Sequence, residues 1–99
     1  MVSNHYTDTR KQREDIINSI GIGNIVASFV IDRHHPNGPE IHKITSTGII
    51  IIYNLYTGKM VTKLIARPNQ IKRYYEEGKA PQYLLELAAE HQTKGYNRI

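Results

Sequence analysis

The chain has no cysteine and no tryptophan, and it has a single phenylalanine. Without cysteine there is no disulfide, no zinc-thiolate site and no thiol nucleophile. No run approaches the roughly 18 consecutive apolar residues that a membrane-crossing helix needs. The opening MVSNHYTDTRKQRED lacks the apolar core of a secretory signal. These absences lead to the expectation of a cytoplasmic protein without membrane contact. A glycine-rich phosphate loop and a serine elbow are also missing, and Gly21-Ile22-Gly23 reads only as a turn.

What is present is an ordinary globular composition: 99 residues, 39% hydrophobic and 22% charged. That length supports one domain (1–99) with a modest core, and no repeat or linker divides it. The aromatic content rests on seven tyrosines, and the formal net charge of +4 is unevenly placed. From Lys59 to Arg73 the chain holds Lys59, Lys63, Arg67, Lys72 and Arg73 and no acidic residue. Such a cluster favours a polyanionic partner, RNA in particular. A solvated surface that balances acidic patches elsewhere is the other reading of the same charges.

The pattern predicts an α+β fold: an N-terminal helix, a four-stranded antiparallel meander sheet and two C-terminal helices. Residues 1–7 read as a loose lead-in. Asp8 or Thr9 can cap a helix over 8–20 whose apolar stripe is Ile16, Ile17 and Ile20, with Gly21 and Gly23 breaking it. The sheet spans 24–67. Its strands are Asn24 to Arg33, Glu40 to Ser46, Gly48 to Tyr53 and Lys59 to Arg67, with turn signals at HPNG, Gly48 and Gly58. The run Ile49-Ile50-Ile51-Ile52 is apolar on both faces and reads as a central strand. Helices fill 68–94, where Pro68 stands at a first helical position and Gly78 and Gly95 close the two helices.

Facing strand residues share a side of the sheet. A two-residue turn at Thr47-Gly48 pairs His42 with Tyr53 and Ile44 with Ile51, and a four-residue loop over 55–58 pairs Ile51 with Thr62 and Ile49 with Leu64. One face then gathers Glu40, His42, Ile44, Ile49, Ile51, Tyr53, Thr62 and Leu64. The other gathers Lys43, Ile50, Ile52, Lys59, Lys63 and Arg67 and is distinctly basic. A one-residue slip in the first turn exchanges His42 and Lys43 between the faces.

His34, His35 and His42 lie close together in sequence, and imidazole can both take and give a proton near neutrality. Cleavage of RNA needs a base for the ribose 2′-hydroxyl, an acid for the leaving oxygen, and cations for the phosphorane. The candidate catalytic residues are His35, His42, Thr62 and Tyr53. The candidate RNA-binding residues are Lys43, Lys59, Lys63, Arg67, Lys72, Arg73 and the loop tyrosine Tyr56, whose ring can stack on a base. Histidines beside a PNG turn are also common as plain exposed polar residues, and a threonine within a strand is commonly just β-branched packing. Asp32 and Glu40 beside the histidines admit a metal reading, but no helical His-x-x-x-His spacing accompanies them and Lys43 opposes a cation. No metal ligand and no cofactor is assigned.

The stretch EIHKITSTGIIIIYN followed by TGKMVTKLIARPNQIKRYY resembles the sheet cores of the small toxin ribonucleases, the superfamily of barnase, EndoU, the colicin tRNases and RelE, including forms carried by phages and mobile elements. The resemblance covers about a third of the chain, with His42, Lys43 and Thr62 at matching strand positions and two further helices beyond it. It implies a metal-independent endoribonuclease toxin restrained by a cognate immunity or antitoxin protein. The alternative is a non-enzymatic module that binds nucleic acid or inhibits a host factor. Assembly as a homodimer through exposed tyrosine and isoleucine is a third expectation.

Overall fold

The computed structural model describes residues 5–32 and 38–98, and side chains over 9–32 and 38–97. In chain order the elements are α1 (His5–Ile20), β1 (Ile25–Ile31), β2 (Glu40–Thr45), β3 (Ile49–Asn54), β4 (Met60–Ile65), α2 (Pro68–Glu76), α3 (Tyr83–Thr93) and a 3-10 turn (Tyr96–Arg98). This is the expected α+β order of helix, four strands and two helices, and the sheet is an antiparallel meander ordered β1-β2-β3-β4. The first helix starts a turn earlier than its capping residues suggested, at His5 rather than Asp8. His34 and His35 lie outside the described residues.

The register differs from the expected one at β3. His42 faces Ile52, Ile44 faces Ile50 and Lys43 faces Ile51, so Tyr53 faces Ile41 and not His42. The reason lies in the first turn. It holds three residues, Ser46 to Gly48, instead of two, with Gly48 in the left-handed region at φ 84°. An odd loop of this kind ends on a glycine because only glycine adopts that conformation cheaply. At the second hairpin Tyr53 does face Met60, but a bulge at Val61 then sets Ile52 opposite Thr62 and Ile51 opposite Lys63. Strand β3 is thus one residue out of its expected phase against β2 and, beyond the bulge, against β4, so β2 and β4 slide by two residues and keep the same faces.

The alternation puts an apolar layer on each side of the sheet. On one side Phe29, Ile44, Ile50 and Ile52 pack with Ile71 of α2 and with Leu84 and Ala88 of α3. On the other, Ile49, Ile51 and Ile65 pack with Ile17 of α1, with Ile16, Tyr53 and Tyr96 around them. Helices therefore lie on both faces, the one expected to be basic included. Each fully buried isoleucine or leucine contributes about 1.5–3 kcal/mol. The exposed ion pairs Lys72–Glu76, Arg73–Glu77 and Lys94–Glu90 contribute at most about 1 kcal/mol each. Burial holds the helices on the sheet.

Polar contacts tie the turns down. Arg67 precedes Pro68, the first residue of α2, and its N–H donates to Gln70 Oε1 at 2.9 Å, which caps the helix start. Asn97, buried after α3, donates from Nδ2 to the carbonyl oxygens of Ala66 and Ala88, and its own carbonyl accepts from Arg67 Nε at 3.1 Å. In the first hairpin, Thr47 Oγ1 lies 2.7 Å from the Gly21 carbonyl oxygen and 2.8 Å from that of Ile22, so it binds the turn to the end of α1. The buried Thr45 Oγ1 accepts from the N–H of Ile49 at 3.2 Å.

His91, only 4% exposed, sits against this turn, and a methyl group at Gly48 would stand 3.3 Å from its Cε1. Its Nδ1 has no hydrogen-bond partner among the described residues. Burial lowers its pKa below 6.5, Glu90 acts to raise it and Lys94 to lower it further, and Tyr96 is the ring beside it.

Two predictions follow from these contacts. Thr47→Val removes the hydroxyl that ties the turn to the end of α1, so denaturant unfolding should show a loss of about 1–2 kcal/mol. For His91 the folded state binds fewer protons than the unfolded one below pH 6.5, so stability is full above that pH and falls as the pH drops. Thermal unfolding should lose more Tm between about pH 7.5 and about pH 5.5 in the wild type than in His91→Leu.

Candidate functional site

His42 projects from β2 on the face covered by α2, next to Phe29 on β1 and Ile52 on β3. Helix α2 leaves part of this face open. A cleft of about 240 Å³ lies between sheet and helix, lined by His42, Ile50 and Leu64 from below and by Asn69, Gln70, Arg73 and Tyr74 from α2. The Tyr74 ring stacks on Phe29, with centroids 4.1 Å apart and planes at 11°, and so forms one wall. Two residues before His42 on the same strand, and therefore on the same side, Glu40 places Oε1 3.3 Å from His42 Nε2. Both side chains are half-buried, the imidazole with 15% and the carboxylate with 24% of its surface exposed, so solvent and a ligand can reach the pair.

Arg73 is mostly exposed and meets Glu77 at 3.7 Å. An exposed pair one helical turn apart is worth about 0.3–0.5 kcal/mol, whereas a charge-assisted hydrogen bond to an anion is worth about 1.5–3 kcal/mol. The pair with Glu77 is therefore weak enough for Arg73 to exchange it for an anion of comparable reach. An imidazole backed by a carboxylate, facing a cation that can be redirected, can move a proton beside an anionic group.

The other sequence-predicted residues are distributed as follows. Thr62 stands in the same row as His42, with Ile52 between them, so about two strand spacings or ~10 Å separate them. Its hydroxyl accepts from Arg13 Nη2 of α1 at 3.3 Å. Tyr53, expected beside His42, lies on the opposite face, where Lys43 Nζ stands 5.0 Å from its ring centroid. Those two residues line a separate hollow of about 280 Å³ with Ile41 and Leu55. Lys63 is on that side too, largely buried, and its Nζ meets Glu14 Oε2 at 3.1 Å. Arg67 serves the helix start and the chain end, as above. Tyr56, in the loop between β3 and β4, is 78% exposed, and Lys59 is exposed beside it. Lys72 is exposed on α2 and paired with Glu76. The expected continuous basic face is thus divided between the two sides of the sheet and the outer surface of α2.

His35 lies outside the described residues. Asn69 and Gln70 line the cleft beside Tyr74 without having been singled out in the sequence. Only the helix start at Pro68 could have pointed to them, since it sets which residues of α2 face the sheet. No three histidine, aspartate or glutamate side chains gather as a metal-binding group among the described residues. Among those residues, too, no helix is long and apolar enough to cross a membrane.

Fold and site together define an α+β protein with helices on both faces of a four-stranded meander and a cleft under its second helix that His42 and Arg73 line. Comparison with protein-family models, with curated proteins and with solved structures finds no match to this chain.

Proposed function

We propose that the cleft under α2 is a phosphodiester site and that the protein is a metal-independent endoribonuclease. The observation that carries the reading is His42, which lines the cleft together with Arg73 and has Glu40 Oε1 3.3 Å from its Nε2. The resemblance of the sheet core to the toxin ribonucleases agrees with it. In this reading His42 donates Nε2–H to Glu40, which fixes the tautomer, and Nδ1 takes the proton of the ribose 2′-hydroxyl. The 2′ oxygen bonds to phosphorus, the bond from phosphorus to the 5′ oxygen breaks, and that oxygen leaves with a proton from His35. Products are a 2′,3′-cyclic phosphate and a 5′-hydroxyl. Arg73 carries the charge that builds on the phosphorane oxygens.

The test is incubation of a single-stranded oligoribonucleotide with the protein in EDTA, with products resolved by mass. Wild type should give cyclic phosphate and 5′-hydroxyl ends and leave the matching DNA intact, because DNA has no 2′-hydroxyl. His42→Ala should lower the rate by about 10²–10⁴-fold, the usual contribution of a positioned acid or base. Arg73→Ala should lower it by about 10²-fold or more. No cleavage, or cleavage that survives His42→Ala, overturns the assignment. Salt-sensitive binding of the same RNA without cleavage would support the non-enzymatic binding module instead.

A further inference from the structure

The two edges of the sheet are built differently. At β4 the edge is guarded in the ways edge strands usually are. Lys59 precedes the strand, Lys63 lies within it, a bulge interrupts it at Val61, and α1 clasps it through Arg13–Thr62 and Glu14–Lys63. At β1 the strand reads Ile25-Val26-Ala27-Ser28-Phe29-Val30-Ile31, with no charge and no proline. Among the described residues it is paired on one side only. Ile25 is 51% exposed, Val26 41% and Val30 55%, although branched apolar side chains of this kind gain most from burial. The bulge at Val26 leaves Ala27 to Ile31 as the regular part of the edge.

We infer that β1 pairs with β1 of a second copy of this chain, antiparallel about a two-fold axis, so that one sheet runs through both. Two features single out a second copy as the occupant. First, any antiparallel register of Ala27–Ile31 on itself sets apolar or hydroxyl side chains opposite one another, with no like charges across the seam. Second, the hollow beside this edge is charge-balanced. It is lined by Asp32 and Glu77 as well as Arg73 and Lys79, in a chain whose overall formal charge is +4. In a two-fold interface each patch meets its own copy, so a patch that holds both signs can pair with itself where a basic one would repel. The pairing supplies partners to the outward backbone groups of β1 and removes Val30 from water.

The test is the mass in solution, by sedimentation equilibrium from micromolar to submillimolar protein, of the wild type and of three single variants. Wild type should rise toward twice 11.4 kDa with concentration. Val30→Lys and Ser28→Lys, both at exposed positions within Ala27–Ile31, should remain at the monomer mass with an unchanged circular dichroism spectrum. Val61→Lys, the same kind of change on the other edge, should assemble as the wild type does. Wild type that stays monomeric throughout, or Val30→Lys that assembles undiminished, overturns the inference, as does loss of assembly in Val61→Lys alone. None of these readouts depends on RNA cleavage.

Discussion

Strand β3 is the constraint on which the rest of this structure depends. Its four consecutive isoleucines alternate up and down, and all four are buried, two on each side. A strand that is apolar on both faces is stable only if both are covered. The chain meets that need by placing α1 on one side and α2 with α3 on the other. The isoleucines from 49 to 52 are each worth about 1.5–3 kcal/mol of transfer free energy. No surface ion pair among the described residues approaches their sum, and the helices are positioned by them.

The short connections carry that arrangement. Gly48 lets three residues close the first hairpin, Thr47 joins that hairpin to the end of α1, and Asn97 joins the end of α3 to the start of α2. These contacts are local and polar. Their energy is small beside the core, but they tie the helix ends to the sheet. The cleft lies where α2 stands over the sheet, with Ile50, Leu64 and His42 as its floor.

The chemistry of the site rests on a division between the two sides of the sheet. Successive strand residues alternate, so His42 and Lys43 cannot serve one cleft directly. Lys43 instead stands over Tyr53 on the α1 side, and Lys63 there is paired with Glu14. The cation available to His42 comes from the helix layer, as Arg73. Glu40 shares a side with His42 by the same alternation, and this gives a local carboxylate-imidazole pair independent of any long-range contact.

By itself the sequence determined the element order, the positions of the turns, the helix caps at Pro68, Gly78 and Gly95, and the pairing of Glu40 with His42 on one side. All of these follow from local backbone chemistry or from the two-residue period of a strand. It did not determine the phase of β3, because a run of isoleucines looks the same after a one-residue slip and hydrophobic pattern is what sets register. Tyr53 was placed on the wrong side of the sheet for that reason. Nor could it bring Arg73 and His42 to one cleft, since they share it only once α2 is docked, or reveal that His91 is buried against Gly48. Those outcomes were decided by packing between distant segments, in which an odd turn and a bulge at Val61 fixed which isoleucines face which helix.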